Sequence, residues 1–422
     1  MNTAERVIDF IKNSPSPYHT VKVIKDTLVR EGYTELSESD VDAFSDGGKH
    51  FVVRDGSSVI AFRGKGNGFM MCASHSDSPS FKVKGQSNGA YAKCTTEPYG
   101  GMIYYSWLDR PLSAAGRAVF KTESGIATRL VDLERDSFVI PSVAIHFNRG
   151  VNEGYKFNPA SDMLPLMGMS VDGTALNDAV TEAAGMKGCD LISHDLYLYN
   201  RECGRVVGMS DELLLAPRID DLGCVFASLC AFLEAEDSNS VSVLAVFDNE
   251  EVGSSTKQGA NSTFLDMTLR AVAGSDSGYR RMLANSYMVS ADNAHASHPN
   301  HPELSDAQNA PVLAGGVVIK YNANQRYTTD AVSDAIFRTL ADRAGIKLQT
   351  YFNRADMPGG STLGSICDTR VSVPSVDIGL PQLAMHSASE TSALSDIDDM
   401  ISVLRELYSS SLCVRGEDIT IE

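Results

Sequence analysis

Short apolar runs and helical patterns alternate along much of the chain. The runs are apolar or β-branched and stop at polar or turn-forming residues, as buried strands do; they cover residues 68–73, 241–247, 287–291 and 315–320. Apolar residues recur at helical spacing at 2–31 (two helices separated by prolines), 222–233, 330–344 and 397–407. Alternation on both sides of Asp55 and Gly56 predicts a hairpin over 51–63. This order of elements predicts an α/β fold.

The pattern changes between about residue 82 and residue 208. Short segments separated by Gly, Asp and Ser follow one another, with turns roughly every 8–12 residues, which is typical of β-rich structure. These segments include 102–107, 117–121, 126–131 and 196–199. The run 143–149 is also strand-like and carries His146, which we interpret as a core or interface histidine. The chain is therefore predicted to contain a β-rich insertion.

Composition and charge narrow the class of protein. A chain of 422 residues is long for one core, so two domains are expected. A net charge of -18 argues against nucleic acid and anionic membranes as partners. No apolar run approaches the ~20 residues of a membrane span, and the first residues show no secretory signal. The scattered cysteines, without a Cys-X-X-Cys pair, indicate reduced thiols in a cytoplasmic protein and argue against a structural zinc ribbon.

A pair of adjacent acids, Glu250 and Glu251, follows the strand predicted at 241–247. Neighbouring side chains on an extended chain point in opposite directions, so the two acids share a role only if the chain turns there. Gly253 and the serines beside it indicate such a turn. Because buried, unpaired carboxylates are costly, a metal ion or a substrate proton would explain the pair. A solvated loop is the alternative.

His75 and Asp77 follow the strand predicted at 68–73. Residues two apart on an extended chain lie on the same side, which suits a metal-binding histidine oriented by a carboxylate. A surface turn is the alternative. Two further acids, Asp220 and Asp221, precede the helix predicted at 222–233. One of them suits the helix N-cap, which leaves the other for a different role.

Several potential metal ligands share one position relative to the predicted strands. They follow apolar runs at their carboxyl ends, where open α/β sheets place ligand sites; they are His75, Asp220, Glu250, Glu251, Asp292 and His386. Histidine and carboxylate are zinc ligands, and two histidines with three acids suit two metals bridged by one acid. One acid left uncoordinated would then carry protons. The tract 295–301 holds three further histidines and reads either as a metal-binding or as a turn sequence.

Short motifs occur in order along nearly the whole chain. They are 14–19 (SPSPYH), 75–79 (HSDSP), 145–149 (IHFNR), 248–254 (DNEEVGS), 290–296 (SADNAHA), 316–320 (GVVIK), 325–327 (QRY), 357–362 (MPGGST) and 384–387 (AMHS). Each motif alone is weak evidence for a particular protein family. Together they resemble the aspartyl aminopeptidase family of dinuclear zinc exopeptidases.

The resemblance implies a set of metal ligands. Two zinc ions per subunit would be bound by His75, Glu251, Asp292 and His386, with Asp220 as the bridge between them. Asp221 stands where the family usually has Asn, which leaves open which of Asp220 and Asp221 bridges. Cobalt or manganese would also fit such a site.

The resemblance also implies roles outside the metal ligands. Glu250 would be the general base, and Asp77 would orient His75. His146 would reach into the active site of a neighbouring subunit. Residues of the substrate pocket would be Lys320, Met357, Gly359 and Gly360.

The fold implied by the resemblance is an α/β/α sandwich of the phosphorylase/hydrolase-like zinc peptidases. Residues 1–86 and 211–422 would form the catalytic domain, and residues 87–210 an inserted β-rich dimerisation domain. The implied activity is removal of N-terminal Asp or Glu from peptides by a zinc-activated hydroxide, with Lys320 receiving the acidic side chain. The subunits would form a homododecamer built from dimers. Its active sites would face an enclosed space, which would restrict substrates to peptides.

Three alternatives stay open. The first is the same fold with a preference for a neutral N-terminal residue such as leucine. The second is another dinuclear zinc hydrolase that removes C-terminal residues or N-acyl groups, although the 357–362 loop and the His146 segment fit that group poorly. The third is a catalytically silent scaffold, against which the complete set of ligands and Glu250 argues.

Overall fold

The computed structural model describes residues 1–169, 172–357 and 359–422 of the chain. Its α-helices are α1 (Thr3–Lys12), α2 (Pro17–Arg30), α3 (Ala175–Ala183), α4 (Ile219–Glu234), α5 (Phe264–Ala273), α6 (Asp276–Leu283), α7 (Ala331–Ala344), α8 (Leu363–Asp368) and α9 (Leu394–Tyr408). Within these described ranges, no helix combines the length and the apolar character needed to cross a membrane.

The strands run from one end of the chain to the other. They are β1 (Thr34–Leu36), β2 (His50–Arg54), β3 (Ser58–Arg63), β4 (Phe69–His75), β5 (Ser80–Ser87), β6 (Ala92–Tyr99), β7 (Leu112–Thr122), β8 (Gly125–Asp132), β9 (Leu166–Gly168), β10 (Leu191–Asn200), β11 (Arg205–Val207), β12 (Leu213–Ala216), β13 (Val241–Phe247), β14 (Tyr287–Ala291), β15 (Ala294–His295), β16 (Val317–Tyr321), β17 (Leu348–Phe352), β18 (Ser375–Gly379), β19 (Pro381–Leu383), β20 (Glu390–Ala393), β21 (Leu412–Arg415) and β22 (Asp418–Ile421).

A nine-stranded sheet forms the centre of the molecule. Its strand order is β1-β2-β3-β13-β4-β14-β18-β16-β17. The four neighbouring strands β13, β4, β14 and β18 are mutually parallel, so their carboxyl ends meet at one edge. We call this the carboxyl edge of the sheet, and it is the place where ligand sites of open α/β sheets form.

Helices cover both faces of this sheet. Alternate side chains of the fully buried strand β13 point to opposite faces, as the two-residue period of a strand requires. Leu244 and Val246 pack in a core with α4, α7 and α9, whereas Val243 and Ala245 pack in a second core with α5 and α8. The result is a three-layer α/β/α arrangement, which confirms the predicted α/β class.

Two further sheets lie beside the central one. The six-stranded sheet β8-β7-β10-β5-β6-β9 is antiparallel and has its own core, which includes Phe81, Trp107 and Phe120. The five-stranded sheet β11-β12-β20-β19-β15 contains β12, which leads into α4, and β20, which leads into α9. The division of the chain into domains at residues 87 and 210 stays a prediction.

Three local predictions were wrong. The segment 102–107 contains a 3₁₀ helix at Tyr104–Trp107 and not a strand. The run 143–149 forms a turn with exposed side chains, and His146 is exposed and not in the core of this chain. Neither aspartate caps α4: the capping residue is Arg218, which has a φ of 58° and makes no side-chain cap, and Asp220 and Asp221 have non-helical backbone angles.

Candidate metal centre and active site

Two parallel neighbours of the central sheet deliver acidic and imidazole groups to its carboxyl edge. His75 is the last residue of β4 and lies beside Phe247, the last residue of β13. After Phe247 the chain turns through Asn249, which has a φ of 63°, into a 3₁₀ turn at Glu250–Val252. The turn foreseen from Gly253 is therefore present, and it places Glu250 and Glu251 next to the end of β4.

His75 is fully buried and its two ring nitrogens face different groups. Its Nδ1 lies 3.0 Å from the carbonyl oxygen of Asp77 and 3.4 Å from the Asp77 carboxylate. Its Nε2 lies 3.5 Å from Asp220 Oδ1 and 4.0 Å from Asp292 Oδ1. With the Nδ1 hydrogen directed to Asp77, Nε2 is free to bind a cation in the space between the two aspartates.

The Asp77 carboxylate also accepts hydrogen bonds from groups other than His75. Its carboxylate oxygens accept the backbone N–H groups of Glu250 at 3.1 Å and Glu251 at 3.2 Å. The hydroxyl of Tyr99, from β6, donates to the same carboxylate at 2.6 Å. Asp77 therefore ties His75 to the turn that carries the two glutamates.

His386 faces Asp220 from the opposite side. Its Nε2 lies 3.4 Å from Asp220 Oδ2 and 3.4 Å from Glu251 Oε2. Its Nδ1 lies 2.7 Å from the carbonyl oxygen of Gly101, which fixes the ring. The chain at Gly100 passes close to the site: its φ is 73°, and a Cβ there would lie 3.2 Å from the Glu251 Cβ.

Asp220 stands between the two histidines, with one carboxylate oxygen toward each. Two groups of ligand-type side chains form among the described residues, with their ligand atoms within 4.8 Å of one another. The first group, near β4, is His75, Asp220, Asp221 and Asp292, and the second group is Asp220, Glu251 and His386. Asp220 alone belongs to both. Asp221 instead accepts the backbone N–H of His75 at 3.1 Å through its Oδ2.

The donor atoms fit two cations. Across the described parts of the chain, three buried carboxylate oxygens at this edge have no hydrogen-bond partner: Asp220 Oδ1, Asp221 Oδ1 and Glu251 Oε1. Buried polar atoms in proteins are normally hydrogen-bonded. Three unpaired carboxylate oxygens at one place therefore indicate a site for a bound ligand. Imidazole nitrogens and carboxylate oxygens are zinc ligands, so the chemistry of the set matches that metal.

Burial and mutual repulsion raise the pKa values of the acids at this edge, and a bound cation would lower them again. Burial raises the pKa of Glu250 to about 8, and the nearby Asp292 carboxylate adds to the rise. Burial also raises the pKa values of Glu251 and Asp292, with Asp220 contributing to each. A divalent cation would neutralise this crowding of negative charge.

The histidines and Asp220, unlike the other acids, favour their charged forms: the pKa values of His75 and His386 are raised and that of Asp220 is lowered. Burial alone would lower the pKa of His386, but facing Asp220 and Glu251 raises it to about 10. Burial alone would raise the pKa of Asp220, but His386 and His75 hold it below its usual range. Without a metal, the imidazoles therefore keep protons that a cation would displace.

A cavity of about 350 Å³ opens onto this edge. Its walls include every member of the two ligand groups except Asp221. They also include Glu250, Lys320, Tyr327, Tyr351, Gly360 and Thr362. Glu250 lies in the wall but in neither ligand group, as expected for an acid left uncoordinated.

Lys320 is buried in the cavity wall. Its Nζ donates to the carbonyl oxygen of Asp292 at 2.7 Å and lies 3.8 Å from the Asp292 carboxylate. The Tyr327 ring centre is 5.2 Å away. Burial opposes its charge, but the nearby carboxylates of Asp292 and Asp377 hold the pKa of Lys320 above its usual value.

The remaining predicted site residues lie further out. Met357 is 41% exposed, and Gly359 lies against the side chain of Asn353; Pro358 of the same loop is outside the described residues. His146 is exposed and does not line the cavity among the residues described. In the tract 295–301 only His295 lines the cavity, and no member joins a described ligand group.

Sequence reasoning missed two residues that hold the ligands. One is Tyr99, whose contact depends on how β6 packs against the central sheet. The other is Glu390, which accepts the backbone N–H groups of Asp220 and His386. An acid among small residues, four positions after the predicted ligand His386, was the available signal for Glu390.

The chain is similar to known proteins in family profile, in sequence and in structure. The family profile of the aminopeptidase I zinc metalloproteases, M18, matches residues 10–408. A probable M18 family aminopeptidase 2 of Clostridium acetobutylicum is 42% identical over 406 residues, which are 92% of this chain and 94% of that protein. A solved structure of the Ape4 and Nbr1 complex gives a TM-score of 0.92 at 31% identity, covering 96% of this chain and 85% of the other. The mApe1 dodecamer of S. cerevisiae gives a TM-score of 0.84 at 28% identity, covering 96% of both chains.

Proposed function

The chain belongs to the M18 family of zinc metalloproteases and is an aminopeptidase, and we propose that it removes acidic residues from the N-termini of peptides. One observation carries the metal-dependent part of this proposal: two ligand groups share Asp220, which turns one oxygen toward each of two histidines. The acidic preference is supported by Lys320 in the cavity wall.

Two zinc ions would be held by these groups. His75 and Asp292 would bind the first, Glu251 and His386 the second, and Asp220 would bridge them. The shared position of Asp220 supports it as the bridge in preference to Asp221. When bound, the two ions would polarise the scissile carbonyl and lower the pKa of water in the site. Cobalt and manganese accept the same nitrogen and oxygen donors.

Glu250 would serve as general base and acid. It lies in the cavity wall outside both ligand groups, and its backbone N–H is fixed by Asp77 at 3.1 Å. Its carboxylate would take a proton from water and return it to the leaving amine. Burial raises the pKa of Glu250 to about 8, which supports this role for a carboxyl that must take up and release a proton.

Asp77 would orient the catalytic parts without touching the substrate. Its contacts with the His75 ring and with the backbone of Glu250 and Glu251 join a ligand of the first ion to the turn carrying the base and a ligand of the second. Such hydrogen-bond partners of metal ligands fix the ring orientation and the tautomer.

The charge of Lys320 supports an acidic substrate side chain. In the metal-free protein Lys320 is attracted to the Asp292 carboxylate, 3.8 Å away. A cation at Asp292 would compete for that carboxylate, and the lysine charge would then be available to a substrate carboxylate in the cavity. Lys320 is the positive group that a preference for N-terminal Asp or Glu requires against the acidic field of the chain.

A preference for neutral N-terminal residues is the second candidate. It is favoured by the same lysine's contacts, because Nζ already donates to the carbonyl oxygens of Asp292 at 2.7 Å and Asn293 at 3.4 Å. Lys320 is 2% exposed, and Tyr327 and Tyr351 add aromatic surface to the same cavity. A pocket in which the lysine is fully occupied would receive an apolar side chain.

We further propose that the subunits form a homododecamer built from dimers. The apolar side chains Val143, Ile145 and Phe147 are 55%, 47% and 87% exposed in the single chain, which suits burial against another subunit. His146 lies among them and would reach a neighbour's active site. The dodecamer of mApe1 supports this assembly by likeness of fold. A cytoplasmic location stays a prediction.

Hydrolysis of matched dipeptides tests the function. The panel begins with Asp, Glu, Leu or acetyl-Asp and is measured before chelation, after chelation and after return of zinc. Chelator-sensitive cleavage of the Asp and Glu peptides, with acetyl-Asp untouched, is the expected result. Faster cleavage of the Leu peptide would replace the acidic preference by the neutral one. No cleavage with any metal would leave the scaffold interpretation.

A further inference from the structure

Glu390 is a buried carboxylate that belongs to neither ligand group. It is the first residue of β20 and is 1% exposed. In the register of β20 with β12 it lies opposite Ala216, the last residue of β12. The chain leaves β12 at Ala216 and reaches Asp220 four residues later. Glu390 therefore lies next to the segment that carries Asp220.

The two oxygens of Glu390 bind two separate backbone segments. Oε2 accepts the N–H of Asp220 at 3.0 Å, and Oε1 accepts the N–H of His386 at 2.6 Å. Neither residue has regular backbone angles: Asp220, at the start of α4, has φ -82° and ψ 107°, and His386 has a φ of 67°. Buried N–H groups need acceptors, and one carboxylate supplies both.

Asp220 and His386 are also members of the same ligand group. The His386 Nε2 lies 3.4 Å from Asp220 Oδ2, and both face Glu251. One carboxylate that binds both backbone segments fixes the distance between the backbones of Asp220 and His386, and so the distance between their side chains.

We propose that Glu390 is a positioning residue that fixes the spacing of Asp220 and His386 and thereby sets the affinity of the second metal site, the Asp220–Glu251–His386 group. The proposal rests on the metallopeptidase function proposed above. It predicts a larger effect on the second site, because Glu390 holds both Asp220 and His386 there. Of the first site it holds only the shared Asp220, and neither His75 nor Asp292 in the contacts described.

The carboxylate is needed because it offers two acceptors on one planar group. Glu390→Gln keeps the shape but replaces one oxygen by an NH₂ group, which faces an N–H group as a second donor. Glu390→Asp keeps the carboxylate but withdraws it by one methylene, so it no longer reaches both segments. Each change loosens the link between Asp220 and His386 without altering any metal ligand.

Asp396 supplies a matched control. It is also a buried carboxylate that accepts two backbone N–H groups, those of Ala314 at 2.8 Å and Gly316 at 2.9 Å. It belongs to neither ligand group. Asp396→Asn therefore repeats the loss of a two-acceptor carboxylate away from the metal centre.

The experiment is titration of the full-length, metal-free protein with Zn²⁺ against a competing chelator, which resolves a tighter and a weaker equilibrium. Co²⁺ absorption spectra then report the ligand geometry of each site. For Glu390→Gln and Glu390→Asp we expect one equilibrium to weaken about 10–100-fold, the usual effect of losing a partner of a metal ligand. The other equilibrium, which shares only Asp220 with the affected site, should weaken clearly less, and Asp396→Asn should leave both unchanged.

Wild-type values for both equilibria in a folded Glu390 variant would overturn the proposal. Equal weakening of both equilibria would also overturn it, because the effect would then not be specific to the second metal site. The same weakening in Asp396→Asn would overturn it as an effect of general stability. If Glu390→Gln does not fold, Glu390→Asp carries the same test. A wild-type protein that binds two metal ions but cleaves no dipeptide would refute the peptidase function alone, since the Glu390 inference is judged on metal affinity.

Discussion

Replacing each of two adjacent glutamates by glutamine tests the proposal that Glu251 is a metal ligand and Glu250 a proton carrier. Glu251 Oε2 lies 3.4 Å from the Nε2 of His386, and its Oε1 has no hydrogen-bond partner among the described residues. Glu250 lines the same cavity outside both ligand groups. Both changes preserve shape and volume, so Glu250→Gln and Glu251→Gln are controls for each other.

The expected losses differ in kind. Glu250→Gln removes only a proton carrier, so kcat should fall by about 10²–10⁴, which corresponds to about 2.7–5.4 kcal/mol in the activation barrier. Its zinc content should not change. Glu251→Gln removes a ligand atom, so the affinity of the second metal site should fall by at least about 100-fold, the upper end of what losing a mere partner of a ligand costs.

Unfolding of the metal-free protein gives a second, independent signature. Burial raises the pKa of Glu251 in the folded protein, so its ionised form near neutral pH destabilises the metal-free fold. Glutamine carries no charge, and metal-free Glu251→Gln should therefore melt at a higher temperature than the metal-free wild type. With zinc present the order should reverse, because the wild type alone gains the full binding free energy.

Three measurements on the same samples decide the matter: zinc content after dialysis, steady-state kinetics with excess zinc, and melting temperature with and without chelator. Loss of zinc from Glu250→Gln with retention in Glu251→Gln would reverse the two assignments. Unchanged kcat in zinc-replete Glu250→Gln would refute its role as base.

Three further predictions follow from the site. His146→Ala should lower kcat without lowering zinc content, whereas His301→Ala, which removes another exposed histidine, should do neither; normal turnover in His146→Ala would exclude a role across subunits. Asp221→Asn keeps an oxygen that can accept the N–H of His75, so it should retain both metals while Asp220→Asn loses them, and equal loss of zinc from the two variants would contradict Asp220 as the bridge. The free energy of unfolding of the chelated protein should fall as pH rises from about 5 to about 9. Folding raises the pKa of Glu250 to about 8 and that of His386 to about 10, so both groups bind protons more tightly in the folded than in the unfolded protein. Urea titrations across this range check the prediction, and a rise in stability with pH would contradict it.

The central sheet was predictable because its strands carry a strong signal. The runs at 241–247 and 287–291 coincide with β13 and β14, and the helix predicted at 330–344 coincides with α7. Both faces of these strands are covered, so their side chains are mostly apolar and contrast with the charged residues that follow them. The same contrast placed His75 and the Glu250–Glu251 pair at the strand ends.

The start of α4 was not predictable from local rules. Asp220 and Asp221 look like helix-capping residues, yet their side chains face His75 and His386 and not the helix N–H groups. The 143–149 run reads as a strand by composition but is a turn whose apolar side chains are exposed in the single chain. At the start of α4, contacts distant in sequence decide the structure against the local preference.

Two buried carboxylates explain how a site built on irregular backbone keeps its geometry. Asp77 accepts the N–H groups of Glu250 and Glu251, and Glu390 accepts those of Asp220 and His386. Asp77 and Glu390 thus add two acids to a centre that is already crowded with carboxylates, and ionising acids there makes the metal-free fold less favourable. The same negative charge favours binding of a divalent cation. The free energy by which these acids destabilise the metal-free fold therefore adds to the affinity for the metal. Substitutions that remove charge from this centre should therefore stabilise the metal-free protein and weaken metal binding together, and a variant that improves both at once would show that the carboxylates are not coupled through a bound cation.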